Sequence, residues 1–144
     1  MGTSFEVLNQ ILQGEHMAIK QYQAYLDALP ESPLRNHLVA FVTDHKNHAI
    51  RLAYFIQTNG GHVKENLGLT STLTLWRTRL KHFGENEPLE MLEELYSGEN
   101  QKLAKAVKLS HDLSASEKEI LDPMFADDQA HLKQLQRLKD DLLQ

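Results

Sequence analysis

The stretch FVTDHKNHAIRLAYF, residues 41–55, combines an apolar helical stripe with two histidines in its middle. Its apolar residues recur at three- and four-residue steps, which keep one face of a helix turned towards a partner helix. His45 and His48 occupy that same face between Phe41 and Leu52. The pattern predicts an amphipathic helix whose buried seam turns polar at mid-height.

Three further segments have the same apolar periodicity, and helix-ending and helix-starting residues separate them. Pro30 and Pro33 lie between the first two segments, and Gly60-Gly61 follow the second. Proline interrupts a helix or opens it at its first position, and glycine favours its end. The last segment is preceded by Ser114 and Glu117, at the spacing of a capping box. The sequence therefore predicts four helices, at residues 4–29, 33–59, 88–112 and 116–142.

The connection between the second and third predicted helices, residues 60–87, is too long for a simple turn. It carries apolar residues at helical spacing, which predict a short amphipathic helix: Leu69, Leu73, Trp76, Leu80 and Phe83. Short first and third connections around one long connection are typical of a four-helix bundle with a single crossover. An up-down-up-down bundle, which uses short loops throughout, is the alternative topology.

Composition limits both the class of protein and the chemistry. A chain of 144 residues can bury the core of one domain, which we expect to span residues 1–144. It has no cysteine, so a metal would need histidine, carboxylate or carbonyl ligands. The net charge of −5 argues against a nucleic-acid partner. No stretch approaches the ~18–20 apolar residues that cross a bilayer, so we expect a cytoplasmic protein without a membrane partner.

Six ionisable residues interrupt the four apolar seams. Buried ionisable groups are costly unless they are paired or bind a metal. All six lie near the midpoints of the predicted helices, so they share one layer whichever way each helix runs. The candidate metal ligands are Glu15, His45, His48, Glu99, Asp128 and His131.

The two halves of the chain repeat this pattern weakly. Glu15 precedes His48 by 33 residues, and Glu99 precedes His131 by 32. Each half supplies one carboxylate and one pair of residues three positions apart, which share a helix face. The repeat indicates two helical hairpins related by a pseudo-two-fold axis.

This arrangement resembles the ferritin-like di-metal carboxylate proteins, which include rubrerythrins and bacterioferritins. It looks closest to small bacterial ferritin-like families of unassigned function. The family pattern is a Glu from each of two helices and Glu-x-x-His from each of the other two. Glu15 and Glu99 match the lone glutamates, and His48 and His131 match the motif histidines. The resemblance implies an all-α, ferritin-like four-helix bundle with a long crossover.

His45 and Asp128 depart from the family pattern, because they occupy the positions of the two motif glutamates. Those glutamates usually bridge two metals, whereas an imidazole cannot bridge as a carboxylate does, and Asp is shorter than Glu. A dinuclear site with unequal metals, a mononuclear site and a site that holds no metal all remain open. The resemblance implies iron as the first choice of metal, with manganese or zinc as alternatives.

The leading functional hypothesis is a metal-binding ferritin-like protein, with di-metal oxidoreductase activity on dioxygen or peroxide as its finer form. The alternative is a non-catalytic bundle that binds one metal or none and serves as a sensor, carrier or interaction module. A third interpretation makes the six residues core histidines and buried ion pairs that fix helix register. The apolar face of the crossover helix is a candidate surface for homodimerisation.

Four residues near the layer have two interpretations. Asp44 and Asp127 directly precede the paired residues and could orient a histidine, but we interpret them as solvated surface acids. Tyr22 and Tyr96 could hydrogen-bond the ligand carboxylates. We interpret both tyrosines as core side chains with a polar tip.

Overall fold

The computed structural model describes residues 2–29, 31–64 and 88–144. Four α-helices make up most of this part of the chain. They are α1 (Gly2–Ala28), α2 (Pro33–Thr58), α3 (Pro88–Leu109) and α4 (Ala115–Leu142). The predicted all-α four-helix bundle is confirmed. The amphipathic helix predicted within residues 60–87 falls largely outside the described residues.

The predicted helix ends agree with the structure to within two residues, except at the end of the third helix. There, α3 stops at Leu109 and a 3₁₀ turn follows over Ser110–Asp112, so the prediction of one helix to residue 112 is wrong. The backbone N–H of Leu113 donates to the carbonyl of Ser110 at 3.1 Å, and the Ser110 hydroxyl donates to the carbonyl of Val107 at 2.7 Å. These local bonds tighten the last turn.

A complete capping box starts α4. The Ser114 hydroxyl accepts from the backbone N–H of Glu117 at 3.2 Å, and the Glu117 carboxylate accepts from the backbone N–H of Ser114 at 2.8 Å. The helix then continues through Pro123, which is exposed. Pro123 therefore does not mark the start of this helix.

Contacts between helices define the topology. Glu15 of α1 contacts Lys102 of α3. Tyr22, which follows Glu15 along α1, contacts Glu99, which precedes Lys102 along α3. The two helices are therefore antiparallel. α2 and α4 are antiparallel by the same reasoning, from the contacts of residue 44 with 131 and of residue 48 with 127. The short connection between α1 and α2 makes them antiparallel too. Hence α2 and α3 run in the same direction, which requires one crossover and excludes the up-down-up-down alternative.

Apolar side chains fill the bundle on both sides of the polar layer. The fully buried ones include Leu8, Leu12, Leu38, Leu52, Ile56, Leu92, Leu95, Leu121 and Leu135. At about 25 cal/mol per Å² of buried apolar surface, these side chains supply the main stabilisation of the fold. Among the described helices, none combines the length and the apolarity needed to span a membrane.

Candidate metal centre

The structure brings all six candidate ligands into one buried layer, with residues contributed by every helix of the bundle. None of them is more than 3% exposed: Glu15 on α1, His45 and His48 on α2, Glu99 on α3, and Asp128 and His131 on α4. Each of these residues occupies a position in the apolar seam of its helix. Because the seam faces the core of the bundle, the side chain is buried there. The predicted placement of the six side chains in one layer is therefore observed.

His45 lies at the centre of the layer, between two carboxylates. Its Nδ1 lies 2.6 Å from Oε2 of Glu15, and its Nε2 contacts Oε1 of Glu99. The ring stacks on Tyr22 with 5.6 Å between centroids and meets the His131 ring edge-on at 5.0 Å. Burial lowers the pKa of His45, but the hydrogen bonds and charges of the two glutamates outweigh it and raise the pKa to about 10. Without metal, His45 is therefore an imidazolium that donates to both glutamates.

The pKa values of the three carboxylates in the layer shift in different directions. Burial raises the pKa of Glu15, but the hydrogen bond from His45, the neighbouring His48 ring and the charge of Lys102 hold it well below its usual range. The pKa of Glu99 is likewise held low against burial by hydrogen bonds from histidines. The pKa of Asp128 is raised, because burial and the charges of the two glutamates outweigh the attraction of Lys102 and His45.

Two aspartates outside the layer, Asp44 and Asp127, hydrogen-bond the motif histidines on the side of each ring that faces away from the layer; they are called the outer aspartates. Oδ2 of Asp44 lies 2.7 Å from Nε2 of His131, and Oδ2 of Asp127 lies 2.8 Å from Nε2 of His48. Because an ionised carboxylate only accepts, Nε2 of each ring carries the proton, and Nδ1 faces the layer. The two aspartate side chains are 44% and 51% exposed, so they are solvated but they also orient histidines. Our interpretation of them as surface acids alone is wrong.

Tyr22 forms a hydrogen bond with Glu99, one of the two glutamates of the layer. The hydroxyl of Tyr22, whose side chain is buried, donates to Oε1 of Glu99 at 2.8 Å. Burial and the charge of Glu99 raise the pKa of Tyr22 well above its usual value, so the phenol stays protonated. Tyr22 is thus a partner of a candidate ligand, whereas half-buried Tyr96 lies under the ammonium of Lys139, 5.0 Å from the ring centroid.

Lys102 belongs to the layer, although it was not among the residues that interrupt the apolar seams. Its Nζ lies 2.7 Å from Oδ2 of Asp128 and 2.9 Å from Oε1 of Glu15, and its side chain is only 11% exposed. Burial lowers the pKa of Lys102, but the charges of Glu15, Asp128 and Glu99 outweigh it and raise the pKa. The available signal was its position three residues after Glu99, on the same helix face.

The pseudo-two-fold relation of the two halves extends to these contacts. Nδ1 of His48 lies 3.4 Å from Oε1 of Glu15, and Nδ1 of His131 lies 3.4 Å from Oε1 of Glu99. The two outer aspartates follow the same relation. Each immediately precedes a residue of the layer, and each contacts a histidine of the opposite helix, from α2 to α4 or from α4 to α2. Lys102 breaks the symmetry, because an alanine, Ala18, follows Glu15 at the equivalent spacing.

A groove of about 560 Å³ between α1 and α3 reaches the layer. Glu99 and Lys102 form part of its lining. Gly14 and Gly98, which immediately precede the two glutamates, also line it. A Cβ at Gly98 would lie 2.9 Å from the Gln21 amide oxygen, so the glycine leaves room for the end of the Gln21 side chain. The groove therefore borders the layer at Glu99 and Lys102.

The layer fits a metal ion. Two overlapping groups offer four ligand atoms, each group within 4.8 Å: Glu15, His45, His48 and Asp128; and His45, Glu99, Asp128 and His131. Four buried atoms lack a hydrogen-bond partner within the described part of the chain, namely Oε1 of Glu15, Nδ1 of His48, Oε2 of Glu99 and Oδ1 of Asp128. Of these, Oε1 of Glu15 lies 2.9 Å from the ammonium of Lys102. Metal–ligand bonds of about 2.0–2.2 Å hold ligand atoms roughly 3–4 Å apart. The spacing and the unpartnered atoms both suit such an ion.

Comparison with known proteins identifies a family but no activity. No curated protein and no solved structure matches the chain. A family model described as a domain of unknown function, DUF2383, matches residues 3–112. The match covers Glu15, His45, His48 and Glu99, whereas α4 lies beyond it. Since the match spans most of the chain, this protein belongs to the DUF2383 family.

Proposed function

We propose that this protein is a metal-binding member of the ferritin-like superfamily that holds iron in its bundle core and reacts there with dioxygen or peroxide. Manganese and zinc are the alternative metals. The support is the mixed set of histidine and carboxylate ligands from all four helices, within a bundle that has one crossover. Both features agree with the resemblance found in the sequence.

One observation carries the proposal, and it is the orientation of the two motif histidines. Each donates Nε2–H to an aspartate and turns Nδ1 towards the layer, which is the arrangement that outer carboxylates impose on metal-binding histidines. A closed ion-pair network would pair its buried acceptors, since leaving one unpaired costs about 1–3 kcal/mol. Here Oε2 of Glu99 and Oδ1 of Asp128 remain unpaired within the described residues.

The residues of the chain divide into three roles. Glu99, His131 and Asp128 would hold the ion together with His45, and a bound iron would supply electrons to dioxygen or peroxide. The Tyr22 hydroxyl positions Glu99 and holds a proton at the edge of the layer. Leucines on both sides exclude water, and the groove between α1 and α3 admits a small substrate.

Oxidation of ferrous iron tests the proposal. Protein loaded anaerobically with ferrous iron should oxidise it on exposure to dioxygen or peroxide faster than the buffer does. His131→Ala removes a ligand, so we expect a rate at least about tenfold lower. His111→Ala changes an exposed histidine near the end of α3 and should leave the rate unchanged. Equal rates for the wild type, His131→Ala and buffer would contradict the proposed activity.

The second candidate function is a non-catalytic bundle that binds one metal or none and serves as a sensor, carrier or interaction module, and Lys102 favours it. Its ammonium balances the charges of Glu15 and Asp128 without a metal. In this case His131→Ala would change the metal content or the stability, while the wild type would show no turnover. A rate that depends on substrate and is abolished by His131→Ala would count against this candidate.

A further inference from the structure

The two halves of the polar layer differ in one respect, which is the buried ammonium of Lys102 in the half that contains Glu15 and His48. We propose that Lys102 takes the place of one of two metal ions, so that the resting protein binds a single divalent ion on the Glu99 side. This inference rests on the proposed metal binding and defines its stoichiometry. It selects the mononuclear site among the possibilities that the sequence left open.

The position of Nζ supports the proposal. The ammonium contacts Oε1 of Glu15 and Oδ2 of Asp128, which both belong to the first group of candidate ligands. The Lys102 stem packs against α1 at Gly14, where a Cβ would lie 3.6 Å from its Cγ, an ordinary van der Waals distance. A metal ion bound by the same two oxygens would have to displace the ammonium.

The two carboxylate oxygens of Asp128 have different surroundings. Oδ2 is bound to Lys102, whereas Oδ1 has no hydrogen-bond partner within the described residues. Oδ1 lies 3.9 Å from Nδ1 of His45 and 3.9 Å from Nδ1 of His131. These separations match the roughly 3–4 Å between atoms that share one metal ion. The half that contains His131 thus keeps two unpartnered acceptor atoms within the described residues, Oδ1 of Asp128 and Oε2 of Glu99.

Charge supports the same stoichiometry. Glu15, Glu99 and Asp128 carry three negative charges when ionised, and Lys102 carries one positive charge. A single divalent ion with neutral histidine ligands therefore makes the layer neutral. A second divalent ion beside the ammonium would leave two uncompensated positive charges, which is costly in a buried site.

Metal content of a Lys102 variant tests the inference. Lys102→Met keeps much of the side-chain volume and removes the charge, and its thioether is a poor ligand for iron or manganese. Lys105→Met is the matched control, because Lys105 lies one turn further on the same helix, lines the same groove and is exposed. Each protein is loaded anaerobically with ferrous iron, dialysed and analysed for metal per chain. We expect about one ion in the wild type and in Lys105→Met, and about two in Lys102→Met.

Electron paramagnetic resonance of the manganous proteins is an independent readout. An isolated Mn²⁺ ion is expected in the wild type, and an exchange-coupled pair in Lys102→Met. Two ions in the wild type, or one ion in both proteins, would overturn the role of Lys102 while leaving metal binding intact. No metal in any preparation would contradict the proposed function itself. If Lys102→Met does not fold, Lys102→Leu and the wild-type stoichiometry decide between one ion and two.

Discussion

At the scale of single residues, the outer aspartates explain how the bundle presents two histidines to a buried site. Each motif histidine has one ring nitrogen bound to an aspartate of the neighbouring helix and the other turned inward. Such partners fix the tautomer and the ring plane, and they make the imidazole a better ligand. Asp44, which orients the proposed ligand His131, is therefore expected to act on metal affinity without touching the metal.

Replacement of Asp44 by Asn tests this effect. The amide oxygen can still accept from Nε2 of His131, but the negative charge that strengthens the ring as a metal ligand is lost. We expect metal affinity about 10–100-fold lower, as is usual for the loss of such a partner. Competition with a chromophoric chelator measures the affinity. Asp122→Asn, at an exposed position of α4, is the control, and an affinity of Asp44→Asn equal to it would contradict the positioning role.

The pKa of His45 predicts how the stability of the metal-free protein depends on pH. Folding raises this pKa from 6.5 to about 10, so the stabilisation is fully present below pH 6.5 and is lost as the pH rises through 10. We expect the free energy of unfolding to fall by on the order of a few kcal/mol across this interval. Chemical denaturation of chelator-treated protein measures it. His45→Gln should reduce the slope, whereas a wild-type free energy that stays constant would show that His45 is not charged at neutral pH.

The sequence predicts the six inward residues because each interrupts an apolar seam, and that signal lies within one helix. The partners Lys102, Tyr22 and Asp44 could not be assigned in this way, since each contact joins two helices. A lysine on a helix is usually solvated, and only the packing of α3 against α1 and α4 shows that this one is buried.

At the scale of helices, local sequence signals set most boundaries. Pro33 starts α2 and the box of Ser114 and Glu117 starts α4, as predicted. Ser32 has the cap position of α2, but its side chain makes no capping hydrogen bond. The end of α3 was mispredicted because the change to a 3₁₀ turn depends on local hydrogen bonds that apolar periodicity does not show.

Removal of the N-cap of α4 should lower the free energy of unfolding. Ser114→Ala deletes the oxygen that accepts from the N–H of Glu117, so we expect a loss of about 1 kcal/mol of unfolding free energy. Urea denaturation measures the loss. Ser114→Asp keeps an acceptor at the same position and should retain most of the stability. Equal destabilisation by both substitutions would mean that the cap does not stabilise α4.

At the scale of the whole molecule, the fold places one polar layer between two apolar halves of the bundle. The parallel direction of α2 and α3 requires the single crossover, and a sequence with one long connection predicts that topology. The cross-bundle contacts that make the layer, such as Glu15 with Lys102, follow from the way in which all four helices pack. The central claim is that this layer is a metal site.

Elemental analysis of the purified protein, as isolated and after anaerobic loading with ferrous iron, tests that claim most directly. We predict about one ion per wild-type chain after loading and a clear loss of metal in His131→Ala and Glu99→Gln, with retained helicity as the check on folding. Metal content that is absent from both wild-type preparations, or unchanged by the two substitutions, would contradict the account. The layer would then be a buried ion network that stabilises the bundle.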